Sequence, residues 1–182
     1  MWEYKEEDLL KGILDGNFID KSGCYVGIIK SLELSKTNNG ADQIVFDFET
    51  VDGEVKVYYA YTKTTGEELT FKTKHLNHLL YLCKLKDPNK IKECIGKNIG
   101  IFLKAKLSYN KEFINFDIEG FYHPTQNKTA TELSKNTKAE EVEKMLSKYA
   151  KEIPLERIKK DNVNVEKGKV ETIEDSEDSF PF

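Results

Sequence analysis

Lysine and aromatic side chains share alternate positions along two stretches of this chain: Lys56 and Tyr58 in one, Phe102, Lys104 and Lys106 in the other. Alternate residues of an extended strand point to one face. If Val55, Val57, Ile99, Ile101, Leu103, Ala105 and Leu107 face inward, these five side chains share an outer surface. Ammonium groups neutralise phosphates and flat rings stack on bases, at roughly 1–3 kcal/mol per stacked base, so the mixture suits a single-stranded nucleic acid. Tyr61, Lys63, Lys72 and Lys74 after the first stretch, and Tyr109, Lys111 and Phe113 after the second, extend the track. The competing reading is a solvated lysine face whose rings are covered by the terminal helices. Lysine outnumbers arginine 27 to one. Bidentate recognition of guanine normally uses arginine, so this bias suits phosphate neutralisation without base readout. An AT-rich genome would produce the same bias.

Other chemistry finds less support. His75 and His78 lie three apart, with Cys83, Cys94 and His123 elsewhere, a set that matches no common zinc finger or catalytic zinc spacing. Cys83 fits a core position beside Leu79 and Leu80 better. No Walker, GxSxG, HExxH or GxGxxG motif occurs, and no carboxylates form a recognisable pair. The expectation is therefore no enzyme, no metal and no cofactor, with a metal-dependent nuclease built on scattered acids as the enzymatic alternative.

The elements that position the track are mostly strands. Tyr25, Val26, Ile28, Ile29, Leu32 and Leu34 precede a turn at Thr37-Asn38-Asn39-Gly40, after which Ile44, Phe46 and Phe48 alternate with Val45, Asp47 and Glu49. Asp52-Gly53 suits the positive φ angles of a type I′ hairpin turn, and Val55, Val57, Tyr59 and Tyr61 follow as a third strand. Leu76, Leu79, Leu80 and Cys83 then fall at helical spacing within residues 75–85, with Asp87-Pro88 as the stop. Strand periodicity resumes over residues 99–107 and, past Asn110-Lys111, over 113–122. Strand, strand, strand, helix, strand, strand in roughly 100 residues is the order of the OB-fold, a five-stranded, partly open Greek-key barrel. The fold class expected is mainly β, with that helix between strands three and four and further helices flanking the barrel.

Outside the barrel, Thr129 with Glu132 and Thr137 with Glu140 are Thr-x-x-Glu capping boxes, the second followed by the stripe Val142, Met145, Leu146, Tyr149 and Ile153, which predicts a helix near 138–151. Leu9, Leu10, Ile13 and Leu14 predict a short amphipathic helix at the start. The domains read as 1–17 helical, 18–124 barrel, 125–158 helical extension and 159–182 a disordered acidic tail.

Composition bounds the setting. Apolar residues at 38% permit a core, while 33% charged residues keep much of the length solvated. No apolar run approaches the ~18 residues that span a bilayer, and the acidic start is unlike a signal peptide, so a soluble, membrane-free protein is expected. Three cysteines, Cys24, Cys83 and Cys94, form no disulfide framework and fit a reducing cytoplasm. The net charge of −4 is uneven: residues 170–182 carry five acids and no base, so the other 169 residues sum to +1. Residues 56–111 hold twelve lysines against four acids.

The acidic end closes on Asp178, Ser179, Phe180, Pro181 and Phe182. A purely solvating tail has no reason to expose two rings, so the tip reads as a ligand for another protein. It is similar to the tails of bacterial and phage single-stranded DNA-binding proteins, which end on acids followed by Pro-Phe. The body resembles a phage-encoded branch of that group in Gly23-Cys24-Tyr25-Val26-Gly27, Phe46-Asp47-Phe48-Glu49-Thr50, Asp52-Gly53, Gly96-Lys97-Asn98-Ile99-Gly100 and Gly120-Phe121-Tyr122-His123-Pro124, leading to Thr129-Ala130-Thr131-Glu132. Ser179-Phe180 stands where an acid and isoleucine would be usual, which puts the identity of the tail's partner in doubt. The resemblance implies coating of single-stranded DNA in phage replication and recombination, inside a host bacterial cytoplasm. It also implies recruitment of replication or recombination proteins through Asp178, Phe180, Pro181 and Phe182. OB domains of this size often act as homo-oligomers, but no residue pattern marks an interface. A protein-interaction module with a DNA-mimicking tail is the alternative from another class.

Overall fold

The structure, a computed structural model, describes residues 1, 3, 4 and 18–157. The expectations for an N-terminal helix and for the acidic tail with its aromatic tip lie outside the described residues. Five antiparallel strands form one sheet: β1 (Gly23–Lys36), β2 (Asp42–Thr50), β3 (Gly53–Ala60), β4 (Asn98–Leu107) and β5 (Ile114–Tyr122), in the spatial order β3-β2-β1-β4-β5. Helix α1 (Thr70–Leu82) and a 3₁₀ helix (Pro88–Cys94) fall between β3 and β4, and α2 (Ala130–Lys135) and α3 (Glu141–Ala150) follow β5. The mainly β class and the helix between the third and fourth strands agree with the sequence. The sheet is not closed into a barrel: β3 and β5 are its two edges, and no ladder joins them. They nevertheless approach each other, with α1 lying against β5.

The long β1 strand pairs with β4 through Gly23–Ile28 and with β2 from Gly27 to Lys36. Its phase changes at a bulge between Ile29 and Ser31, which lets Ile29 and Leu32 both face inward although they are an odd three positions apart. Inward residues of all five strands then join Leu76, Leu79 and Leu80 of α1, Cys83 just past its end, and Ile91 and Cys94 of the 3₁₀ helix, in one core. Phe46 is at its centre, stacked on Phe48 at 5.2 Å between ring centroids and packed edge-on against Tyr59 at 6.3 Å.

Three local expectations are corrected. The β2–β3 turn is not type I′: its loop is Val51-Asp52, and Gly53 pairs with Thr50 as the first strand residue. Thr50 Oγ1 captures the turn by accepting from the N–H groups of Asp52 and Gly53, both at 3.1 Å, and donating to the Gly53 carbonyl at 2.7 Å. Helix α1 begins at Thr70, five residues before the apolar period shows itself, and ends at Leu82. Lys84, with φ of 60°, turns the chain there, and the Leu85 N–H closes on the Leu80 carbonyl. Pro88 stops nothing; it opens the 3₁₀ helix, where Asp87 accepts from the Asn89 N–H at 2.9 Å.

The Thr129–Glu132 capping box forms as expected, but the one at Thr137–Glu140 does not, because α3 starts only after Glu140. Glu132 takes over that second function. Its other carboxylate oxygen accepts from the N–H groups of Glu140 at 2.6 Å and Glu141 at 3.2 Å. One buried side chain thus caps two helices and sets the path by which α3 returns to the sheet.

Candidate nucleic-acid interface

The edge between β3 and β5 is where lysines and rings come together. Tyr59 points inward from β3, and its hydroxyl lies 3.0 Å from both the Lys72 carbonyl and His75 Nδ1 of α1. The carbonyl can only accept, so the single hydroxyl proton goes there and His75 donates through Nδ1–H. This pair fastens the first turns of α1 over the open edge. Lys72 Nζ in turn lies 4.5 Å from the centroid of the Tyr59 ring and 5.6 Å from that of Phe71, whose own ring is exposed.

Burial lowers the Lys72 pKa; nearby Asp117 opposes this shift and Lys106 adds to it. Lys106 itself reaches across from β4 to Asp117 of β5 at 2.7 Å. Lys72 and Lys106 are therefore two cations near one carboxylate, a place where a phosphate oxygen would be drawn in. Beyond Lys106, the β4–β5 hairpin carries Tyr109 at 95% exposure, Phe113 at 55% and Lys111, whose φ of 59° turns the tip. On the outer face of β3, Tyr58 is 62% exposed beside Val45 of β2, with Lys56 on the same face.

The structure divides the expected track. Phe71 joins Lys72 and Lys106 at the open edge, Tyr109, Lys111 and Phe113 continue it along the hairpin, and Lys74 is exposed on α1. Tyr61 is half-buried against the core, and Lys63 bonds Glu67 within its own loop at 3.0 Å. Phe102 is corrected outright: it is 4% exposed, stacked on Tyr122 at 4.9 Å between centroids, and covered by α3. Lys104 beside it is held by Glu152 just past α3. Lys56 lies 3.8 Å from Asp47. Among the described residues, Lys72, Lys74 and Lys111 have no carboxylate oxygen within 4.0 Å.

Several residues that shape the interface escaped the strand reading. Phe71 was missed because the first turn of α1 shows no apolar period and its N-cap, Leu69, offers no side-chain bond. Asp117 and Glu119 of β5 carry no signal that singles them out. In fact Glu119 accepts from the Tyr149 hydroxyl at 2.8 Å and from Lys148 Nζ at 3.2 Å, tying α3 down. No local signal announces such pairs, since the partners are separated by thirty residues or so.

Among the described residues no group of three or more His, Cys, Asp or Glu side chains is placed to hold a metal ion. His123 Nδ1 instead accepts from the Gln126 N–H at 3.1 Å, shaping the turn after β5. A groove of about 770 Å³ runs between residues 18–25 and the end of α3, lined by Phe18, Ile19, Leu146, Ile153 and Leu155. Its charged lining is Asp20, Lys21, Asp52 and Glu152, so it does not continue the cationic edge. No helix of the described residues is long and apolar enough to cross a membrane. No protein-family model matches the chain, and no curated protein matches its sequence.

Proposed function

We propose that this chain is a sequence-independent single-stranded DNA-binding protein, built on an OB-type barrel left open between β3 and β5. Bases stack on exposed rings while lysines neutralise the backbone. The observation that carries the reading is the grouping at that edge of Phe71, Lys72 and Lys106, continued by Tyr109, Lys111 and Phe113 on the neighbouring hairpin. The strand pairing supports the barrel: β1 bridges β2 and β4, and a β3–β5 ladder alone would be needed to close the ring. In this reading the protein coats single strands during phage replication and recombination, and Asp178, Phe180, Pro181 and Phe182 recruit partner enzymes.

The test is a titration with oligo-dT and with duplex of equal length, at low and high salt, followed by tyrosine and tryptophan fluorescence. Quenching and salt-weakened binding to the single strand alone is the expected result. Binding of neither DNA at low salt would sink the reading. That outcome would favour the interaction-module alternative, which draws on the engagement of Lys56, Lys63, Lys104 and Lys106 with carboxylates.

A further inference from the structure

We propose that the surface beneath α3, formed by Phe102, Tyr122 and Lys104, is a second single-strand subsite that a long strand enters by displacing α3. The inference rests on the single-strand reading above and extends it from an exposed track to a covered one. Phe102 and Tyr122 stack at 28° between ring planes on the outer face of β4 and β5, with Gly100 leaving room for the Tyr122 ring to lie flat on the strand. Lys104 is two residues along the same face, and Lys106 of the open edge is two further. One strip of rings and ammonium groups thus runs from the exposed site to the ground under α3.

What α3 and the residues just after it place on this strip resembles what a nucleotide would bring. Tyr149, Val142 and Met145 lie against the two rings, and the Glu152 carboxylate bonds the Lys104 ammonium. An apolar surface sits where a base would stack and an anion where a phosphate would sit. The cover is also separable. Phe102, Tyr122, Val142 and Tyr149 form a cluster distinct from the main core, and the connector 136–140 is exposed. The remaining ties are Lys148 and Tyr149 to Glu119, the Glu132 carboxylate to the N–H groups of Glu140 and Glu141 at the start of α3, which can act as a hinge, and a long contact from the Cys24 thiol to the Val142 carbonyl at 3.9 Å. Releasing α3 would therefore leave the sheet's interior intact.

Cys24 makes the inference testable, because it packs on the cluster that holds the Val142 side chain, so Val142→Cys places a second thiol in that cluster while Cys83 and Cys94 are buried in the core. Oxidation would pin α3 in place and reduction would free it. Full-length Val142→Cys is titrated in both states with oligo-dT from about 6 to about 30 nucleotides, a range chosen around the site size of an OB fold. Equal affinity for the shortest strands, with about tenfold weaker binding of the long ones in the oxidised state, is expected, since tenfold is about the contribution of one stacked base. The full-length double variant Tyr149→Ala, Glu152→Gln loosens α3 without a crosslink and should gain affinity for long strands only. Oxidised and reduced proteins that bind alike at every length, together with a double variant that gains nothing, would make α3 a permanent cover and overturn the subsite. Failure of the wild type to bind any strand would instead overturn the single-strand reading itself.

Discussion

Glu132 lends one carboxylate to two helices, and its removal should be felt at both. A lost helix cap costs about 0.5–2 kcal/mol and a buried donor left unpaired about 1–3 kcal/mol, so Glu132→Ala is expected to destabilise the protein by about 2–4 kcal/mol. Glu132→Gln should cost less, because the amide keeps one accepting oxygen; urea unfolding of the two variants checks the order. Burial raises this carboxyl's pKa, but bonds from Glu140, Thr129 and Glu141 outweigh burial and hold it below 4.5. A depressed carboxylate stabilises the fold above its unfolded pKa and ceases to do so as pH falls through the folded one, so this contribution fades only in acid below about pH 4.5. His75 acts in a higher window. Burial first, then His78, Lys74 and Lys72, lower its pKa from 6.5 to about 4. The unfolded chain takes up a proton that the folded one refuses, so stability present above pH 6.5 declines toward pH 4. Thermal unfolding at pH 7 and at about pH 5 should show a smaller drop for His75→Gln than for the wild type, and equal drops would refute the assignment. The aromatic residues separate just as cleanly. Phe102→Ala should destabilise by about 3–5 kcal/mol, as large core truncations do. Tyr109→Ala and Phe113→Ala should change stability by less than about 0.5 kcal/mol while weakening oligo-dT binding by roughly 1–3 kcal/mol each.

At the scale of the element, β1 is the central strand of the sheet, paired with β2 on one side and β4 on the other. Gly27 sits at that crossing, opposite Thr50 and Ile99, and a Cβ there would come within 2.8 Å of the Thr50 Cα. Backbone cannot swing aside as a flexible side chain can, so Gly27→Ala should destabilise by about 1–3 kcal/mol, measurable by denaturant unfolding. The strands themselves were legible in the sequence because period-two alternation is a local signal, and Val55, Val57 and Tyr59 inside with Lys56 and Tyr58 outside are found as read. Helix α1 was legible only from the point where Leu76, Leu79 and Leu80 face the core; its first turn, which carries Phe71 and Lys72 to the open edge, has no apolar period to show. Phe102 is where alternation ceases to be informative. Alternation placed it correctly on the outer face, but the face is covered by a helix forty residues later in the chain, and no strand pattern encodes what packs on it from afar. The same holds for Lys104, whose partner Glu152 meets it through tertiary structure alone, whereas Asp117 reaches Lys106 diagonally across the β4–β5 pairing.

At the scale of the whole molecule, charge is divided between a nearly neutral body rich in lysine at its centre and an end that carries five acids in thirteen residues. Single-strand affinity on the proposed edge comes from releasing counterions at a few phosphates, so log K should fall linearly with log salt, by about 0.7 for each phosphate neutralised. Lysines already held by carboxylates, such as Lys106 on Asp117, contribute less to that slope because a counter-charge is in place before DNA arrives. In the proposed reading the acidic end works in the opposite sense, as a tethered anion competing for the same lysines. Deleting residues 174–182 removes Glu174, Asp175, Glu177 and Asp178 and raises the formal net charge from −4 to zero. Oligo-dT affinity of the truncated chain is therefore expected to be unchanged or higher, most visibly at low salt where a tethered anion is least screened. A large loss on deletion would place the binding energy in the tail rather than on the rings and lysines at the β3–β5 edge.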